Sequence, residues 1–197
     1  MTPPNRPSPP RPSGQRPVVR PPVERPAPRP SAITRPKAAK SRRLQFVMRD
    51  GATIEGTVKA GGDQSLVAFL NTRSGWMNLT DAVRAGSGEP PGHMIIQTDH
   101  IVMGVSLDGD VGVSPTASGA GERMVELVLV GGRVVRGYVP AAEGQRLSDT
   151  IARSAKYIGV SLARLFPEGT DVGDIAIQTS ALEIVRDLRG APQETEE

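Results

Sequence analysis

Cysteine is absent from the 197 residues, and histidine occurs only at His93 and His100. That excludes thiolate metal sites, disulfide frameworks and cysteine nucleophiles. It also leaves little material for His-based catalysis or a multi-His metal centre. Aromatics are scarce: one Trp, two Tyr and three Phe. No run approaches the ~20 apolar residues of a membrane span, and no apolar core follows the N-terminal positive charges as a secretory signal requires. The Gly-x-Ser-x-Gly elbow, the Walker loop and the dinucleotide fingerprint are missing too. The expectation is a cytoplasmic, non-enzymatic chain with no catalytic residue, no cofactor and no metal.

What is present is unevenly distributed. The net charge of +3 conceals eleven Lys/Arg against one acid, Glu24, in residues 1–43, leaving 13 bases and 20 acids in residues 44–197. An acidic body argues against a nucleic-acid surface on it, since phosphate binding needs concentrated Lys and Arg.

Residues 1–43 also hold 13 of the 19 prolines, many in Arg-Pro pairs built on Arg6, Arg11, Arg16, Arg20, Arg25, Arg29 and Arg35. Proline removes amide donors and fixes φ, and it pushes the preceding residue to extended geometry. With few apolar side chains and repelling charges, no core can form. The composition predicts a disordered, polyproline-II-biased tether. Its arginines, with Arg42 and Arg43 at its end, are the candidate contacts to an acidic or aromatic-lined protein groove. A plain spacer is the alternative. The absence of aromatics weakens a base-stacking role.

The body repeats itself at a shift of 81 residues. Gly51, Gly56, Val58 and Leu66 fall on Gly132, Gly137, Val139 and Leu147, and Ile96-Gln97-Thr98 falls on Ile177-Gln178-Thr179. In all, 13 identities align without a gap, with Trp76 on Tyr157 and Leu70 on Ile151 among the conservative matches. The duplication divides the chain into a basic arm (1–43), repeat 1 (44–105), a Gly/Ser/Asp-rich linker (106–122), repeat 2 (123–190) and an acidic tail (191–197).

Each copy reads as five short strands and one short helix. Asp50-Gly51 and Gly131-Gly132 predict two-residue hairpin turns, because glycine accepts the positive φ of primed turns. Gly56 and Gly137, inside the second strand, predict a bulge or sharp bend. Helices are expected over 64–71 and 145–153, then strands from Trp76 and Tyr157 and two closing strands in each copy. This is the content of a mainly β chain carrying two tandem small SH3-like or Sm-like barrels. A unit of that size is marginal alone, and packing of the copies together, or homo-oligomerisation, would relieve this.

The second copy carries Gly132-x-x-x-x-Gly137, Arg146-Leu147-Ser148-Asp149, Tyr157 and Ile177-Gln178-Thr179. In these it resembles a family of uncharacterised bacterial small β-barrel domains bearing an Arg-Leu-Ser-Asp helix. The first copy, with Gln64-Ser65-Leu66-Val67, lacks the Arg and the Asp. The resemblance implies the fold and no activity. The Arg-rich entry and the Asp/Asn-x-Ser-x-x-Gly strand of cyclic-dinucleotide-binding PilZ barrels are both missing.

The remaining motifs read as structural. Asp99 and His100 are neighbours, and adjacent strand residues point to opposite faces. Asp108-Gly109-Asp110 lacks the third acid and the bidentate Glu of a calcium loop. Trp76 and Tyr157 suit a core position better than a ligand platform. Arg146 and Asp149 are spaced for an i, i+3 surface pair and are candidate partner contacts. The functional expectation is a regulatory or scaffolding adaptor binding other proteins at strand edges or in the groove between the copies. A response regulator or small GTPase would be one example, although no motif selects it. The alternative is a nucleic-acid-associated protein that grips phosphates through the arm alone.

Overall fold

The computed structural model describes residues 39–61, 64–108, 121–142 and 144–188. The mainly β expectation stands. Repeat 1 comprises β1 (Ala39–Met48), β2 (Thr53–Gly61), α1 (Leu66–Asn71), β3 (Trp76–Arg84), β4 (Gly92–Gln97) and β5 (Ile101–Ser106). Repeat 2 comprises β6 (Gly121–Leu129), β7 (Val134–Ala141), α2 (Leu147–Arg153), β8 (Tyr157–Phe166), β9 (Thr170–Gln178) and β10 (Leu182–Asp187). A 3-10 turn precedes the last strand of each repeat, over Thr98–His100 and Thr179–Ala181.

All ten strands belong to one antiparallel sheet in the order β10-β6-β7-β8-β9-β5-β1-β2-β3-β4. Among the described residues the sheet does not close on itself, and β4 and β10 are its two edges. Residue registers follow the 81-residue shift. Leu44 faces Gly56 as Val125 faces Gly137, Phe46 faces Gly104 as Leu127 faces Val185, and Trp76 faces Gln97 as Tyr157 faces Gln178. The irregularities repeat as well. β2 slips between Glu55 and Thr57 and β7 between Arg136 and Tyr138, so each slip falls on the glycine expected to bend the strand. A non-glycine residue with positive φ breaks the next strand in each copy: Asp81 at 50° and Leu162 at 51°.

Glycine is required at one of these bends by space. A Cβ on Gly137 would stand 2.5 Å from Val160 Cγ1 and 2.9 Å from the Ser161 carbonyl oxygen, whereas one on Gly56 would stand 3.1 Å from Leu79 Cβ. The strand after the bend lies directly against the glycine, and a backbone oxygen cannot rotate away.

Three sequence expectations are corrected. The first strand starts at Ala39, inside what the proline count assigned to the arm. The last leader proline is Pro36, and the residues beyond it have amides to pair, so Ala39 can face Gly61. The hairpin turns contain three residues rather than two. Met48 N donates to Ala52 O at 2.8 Å and Leu129 N to Arg133 O at 2.8 Å, with Gly51 and Gly132 in the left-handed region at φ 82° and 79°. This is the three-residue loop that closes on a left-handed glycine. Finally, no groove separates the copies: β5 hydrogen-bonds directly to β9, with Met103 facing Ile177 and Val105 facing Ile175.

The two cores lie on opposite faces of that continuous sheet. Leu44, Phe46, Phe69, Leu70 and Leu79 form one. Val125, Leu127, Val135, Val160 and Ile175 form the other. The helices differ. Ser65 caps α1, its side chain accepting from Ala68 N at 3.1 Å, and Leu66, Phe69 and Leu70 are buried. That cap also explains why α1 starts two residues later than its apolar spacing predicts. Residue Arg146 stands at the N-cap of α2 without a side-chain cap bond, and none of α2 is buried.

Replacing Gly137 by Ala is expected to lower stability by about 1–3 kcal/mol, the usual cost of overpacking. Gly56→Ala should cost less, because its nearest neighbours, Leu79 Cβ at 3.1 Å and Ala82 Cβ at 3.3 Å, are tight but need to give by only a few tenths of an ångström, and neither is a backbone atom. Urea midpoints of the two variants check the order, and equal midpoints would contradict it.

Candidate functional site

Of the candidate partner contacts read from sequence, the four that lie among the described residues, Arg42, Arg43, Arg146 and Asp149, do not come together. Arg6, Arg11, Arg16, Arg20, Arg25, Arg29 and Arg35 lie outside the described residues. Arg42 is a structural residue: its side chain is 6% exposed and its guanidinium donates to the carbonyl oxygens of Gln64 and Gly61, the latter at 3.2 Å. It ties the end of β2 to the start of α1 and is not presented to a partner. The Arg43 side chain is exposed and 3.7 Å from Glu55, while its amide donates to Asp108 at 2.7 Å. Asp108 thus anchors the chain leaving β5, and Gly109 and Asp110 lie outside the described residues. Arg146 and Asp149 are exposed at the start of α2 and joined only through the backbone, Asp149 N donating to Arg146 O at 3.1 Å. Their side chains form no ion pair.

His93 and His100 are exposed, and among the described residues no three His, Asp or Glu side chains gather as metal ligands. The carboxylate of Asp99 turns to Lys156 of repeat 2 and not to His100. The Lys156 hydrogen bond and positive charge hold the Asp99 carboxyl below the usual carboxylate range, with His100 a smaller contributor. A second carboxylate in a polar cluster, Glu126, accepts from Arg136 Nε at 3.0 Å and Arg186 Nη1 at 2.7 Å. These bonds, Arg136 foremost, keep it ionised against the opposing effect of burial. It takes the place of Gln45, which donates to Glu55 at 3.0 Å in repeat 1. Both pairs hold the first two strands of their repeat together.

The most specific chemistry in the molecule lies where the repeats meet. Tyr157 opens β8 of repeat 2, yet it belongs to the core of repeat 1 together with Ala176. Its hydroxyl donates to Thr98 O at 2.7 Å, and the Asn71 amide at the end of α1 grips its backbone, accepting from Tyr157 N at 2.8 Å and donating to Tyr157 O at 3.0 Å. Lys156 Nζ donates to Thr98 Oγ1 at 3.1 Å and lies 5.5 Å from the Tyr157 ring centre. Gln178 Nε2 donates to Asp99 O at 3.2 Å. On the reverse face, Val47, Val102, Met103 and Val105 of repeat 1 enter the core of repeat 2.

Trp76, at the same repeat position as Tyr157, is 68% exposed against 1% for Tyr157. The expectation that both fill a core holds for the tyrosine alone. The ring at this position is not directed into its own repeat's core; it needs another repeat to cover it, and repeat 1 has none on that side. Two further apolar side chains stand on the sheet edges, Ile95 on β4 at 56% exposure and Ile184 on β10 at 45%. Sequence reasoning expected partner-binding strand edges but did not identify β4 and β10 or the side chains on them. The available signal was Ile95 standing where repeat 2 has the small Ala176, since a large apolar residue and an alanine seldom answer to the same covering. The site is therefore a pair of sheet edges with exposed apolar side chains at opposite ends of one continuous sheet. Comparison of the chain with protein-family models, with curated proteins and with solved structures finds no match.

Removing the buried hydroxyl in Tyr157→Phe is expected to cost about 1–2 kcal/mol, because the Thr98 carbonyl loses its donor. Burial above all, with the Asp99 charge, pushes the Tyr157 hydroxyl well above its ordinary 10.0. Unfolding restores that value, so this contribution is complete below about pH 10 and is lost as pH rises toward the raised value. Melting temperature should therefore fall more steeply above pH 10 in the wild type than in Tyr157→Phe; parallel curves would show that the hydroxyl is not the group involved.

Proposed function

We propose that this protein is a non-enzymatic regulatory or scaffolding adaptor. It consists of two small SH3-like or Sm-like β-barrel repeats, of the bacterial family with the Arg-Leu-Ser-Asp helix, behind a basic tether. The observation that supports this reading is the pair of strand edges, each with an apolar side chain turned to solvent. An unpaired strand offers a row of amides and carbonyls to which an extended or sheet-forming partner can add. Ile95 and Ile184 would supply apolar contact beside that ladder. The leader, rich in Arg-Pro, would add long-range attraction to acidic partners, which speeds encounter and weakens with salt. No small-molecule chemistry is required of any residue in this scheme.

The test is affinity capture with the full chain, with a chain lacking residues 1–36 so that β1 stays whole, and with Ile95→Lys and Ile184→Lys variants. The adaptor reading expects a protein partner whose binding survives leader deletion, depends more steeply on salt when the leader is present, and is weakened at least several-fold by an edge variant. Recovery of nucleic acid alone, abolished by leader deletion and steeply salt-dependent, would replace it with phosphate binding through residues 1–36.

A further inference from the structure

We propose that the two edges are complementary to each other and that a second copy of this chain adds its β4 to β10, so that the protein assembles head to tail. The inference rests on the edge-docking reading above and names the partner of those edges. The β9–β5 junction inside the chain already shows the arrangement. Moving that junction by one repeat brings β4 of one copy beside β10 of the next. Ile96 then faces Ile184, Ile95 faces Val185 and Met94 faces Arg186, in the register of Ile177 with Met103, Ala176 with Gly104 and Ile175 with Val105. The identical strand registers of the two repeats allow this superposition without adjustment.

Exposure agrees on both sides. Trp76 and Ile95 occupy the positions of Tyr157 and Ala176, which are buried in the neighbouring repeat's core. Ile184 occupies the position of Met103, buried at the junction. The receiving helix is also short of cover: the Leu147 and Ile151 side chains of α2 are half-buried, whereas Leu66 and Leu70 of α1 are fully enclosed. Arg186 is drawn along its own sheet to Glu126, which it shares with Arg136, so its guanidinium has a partner before a second copy arrives.

The copied interface keeps a glutamine, Gln97, at the position of Gln178 but lacks the other polar clamps of the original. Ala152 stands where Asn71 grips the Tyr157 backbone, Gly75 where Lys156 stands and Ser180 where Asp99 stands. It is held by strand pairing and by Trp76, Ile95 and Ile184, and so forms reversibly with concentration. An interface joining unlike surfaces produces rings where the rotation closes and filaments where it does not. Either product gathers the basic leaders, one per chain, and would raise avidity for a partner that meets several at once.

Sedimentation of the full-length chain and two edge variants tests this. Trp76→Glu combined with Ile95→Lys alters only β3–β4, and Ile184→Lys alters only β10; all three positions are exposed, and circular dichroism checks that folding is unchanged. The expectation is a wild type that grows beyond one chain with concentration and two variants that each stay monomeric. Mixed one to one, the variants should form a heterodimer and nothing larger, since one intact edge of each kind remains. A wild type that stays monomeric at every concentration, variants that assemble like the wild type, or a mixture that stays monomeric would each overturn head-to-tail assembly. The adaptor reading fails separately, if a monomeric wild type captures no protein through these edges.

Discussion

The pairing of β5 with β9 is the constraint from which the remaining architecture follows. Once those two strands share hydrogen bonds, the sheet must pass from one repeat into the other, and the inner face of repeat 1 becomes the outer face of repeat 2. Tyr157 and Ala176 then have to enter the core beneath α1, while Val47, Met103 and Val105 enter the core on the reverse side. Each repeat thereby completes its core with side chains from the other, which answers the marginal burial of a unit of this size. The Asn71 amide and the Lys156–Asp99 pair add direction to this contact, because each bond is satisfied only in one register.

The copies also diverge at that boundary. The strand bends, the left-handed glycines and the cross-strand registers are retained, since they are needed wherever the repeat folds. The side chains that meet the neighbour differ: Tyr157 against Trp76, Ala176 against Ile95, Asn71 against Ala152. A duplicated module inside one chain has one internal boundary and two outward ones, so identical positions face a permanent partner in one copy and solvent or a transient partner in the other. Polar anchoring at the internal boundary and apolar side chains at the outer ones is a division of labour that duplication makes available and a single module could not show.

Much of the site lay beyond one-dimensional reasoning for reasons particular to its residues. Arg42 and Arg43 continue the run of basic residues and read as leader, yet the sheet reaches back to Ala39 and uses Arg42 to satisfy two carbonyls. Trp76 and Tyr157 align perfectly, so sequence symmetry assigns them one environment; only the order of strands shows that one is enclosed and the other is not. Asp99 and His100 are adjacent, but a 3-10 turn sends the carboxylate to Lys156 across the junction.

The composition and the 81-residue periodicity by themselves determined the β character, the two copies, the glycine bends and the acid–base segregation between leader and body. All of these are local or cumulative properties, legible from spacing and charge. How the copies join was decided only in three dimensions. A strand's two edges carry the same backbone groups, so nothing in a strand's own residues says whether its neighbour will come from the same repeat, the other repeat or another chain. That choice is made by the long-range fit of side chains such as Tyr157 beneath α1, and it decided which apolar positions became core and which became surface.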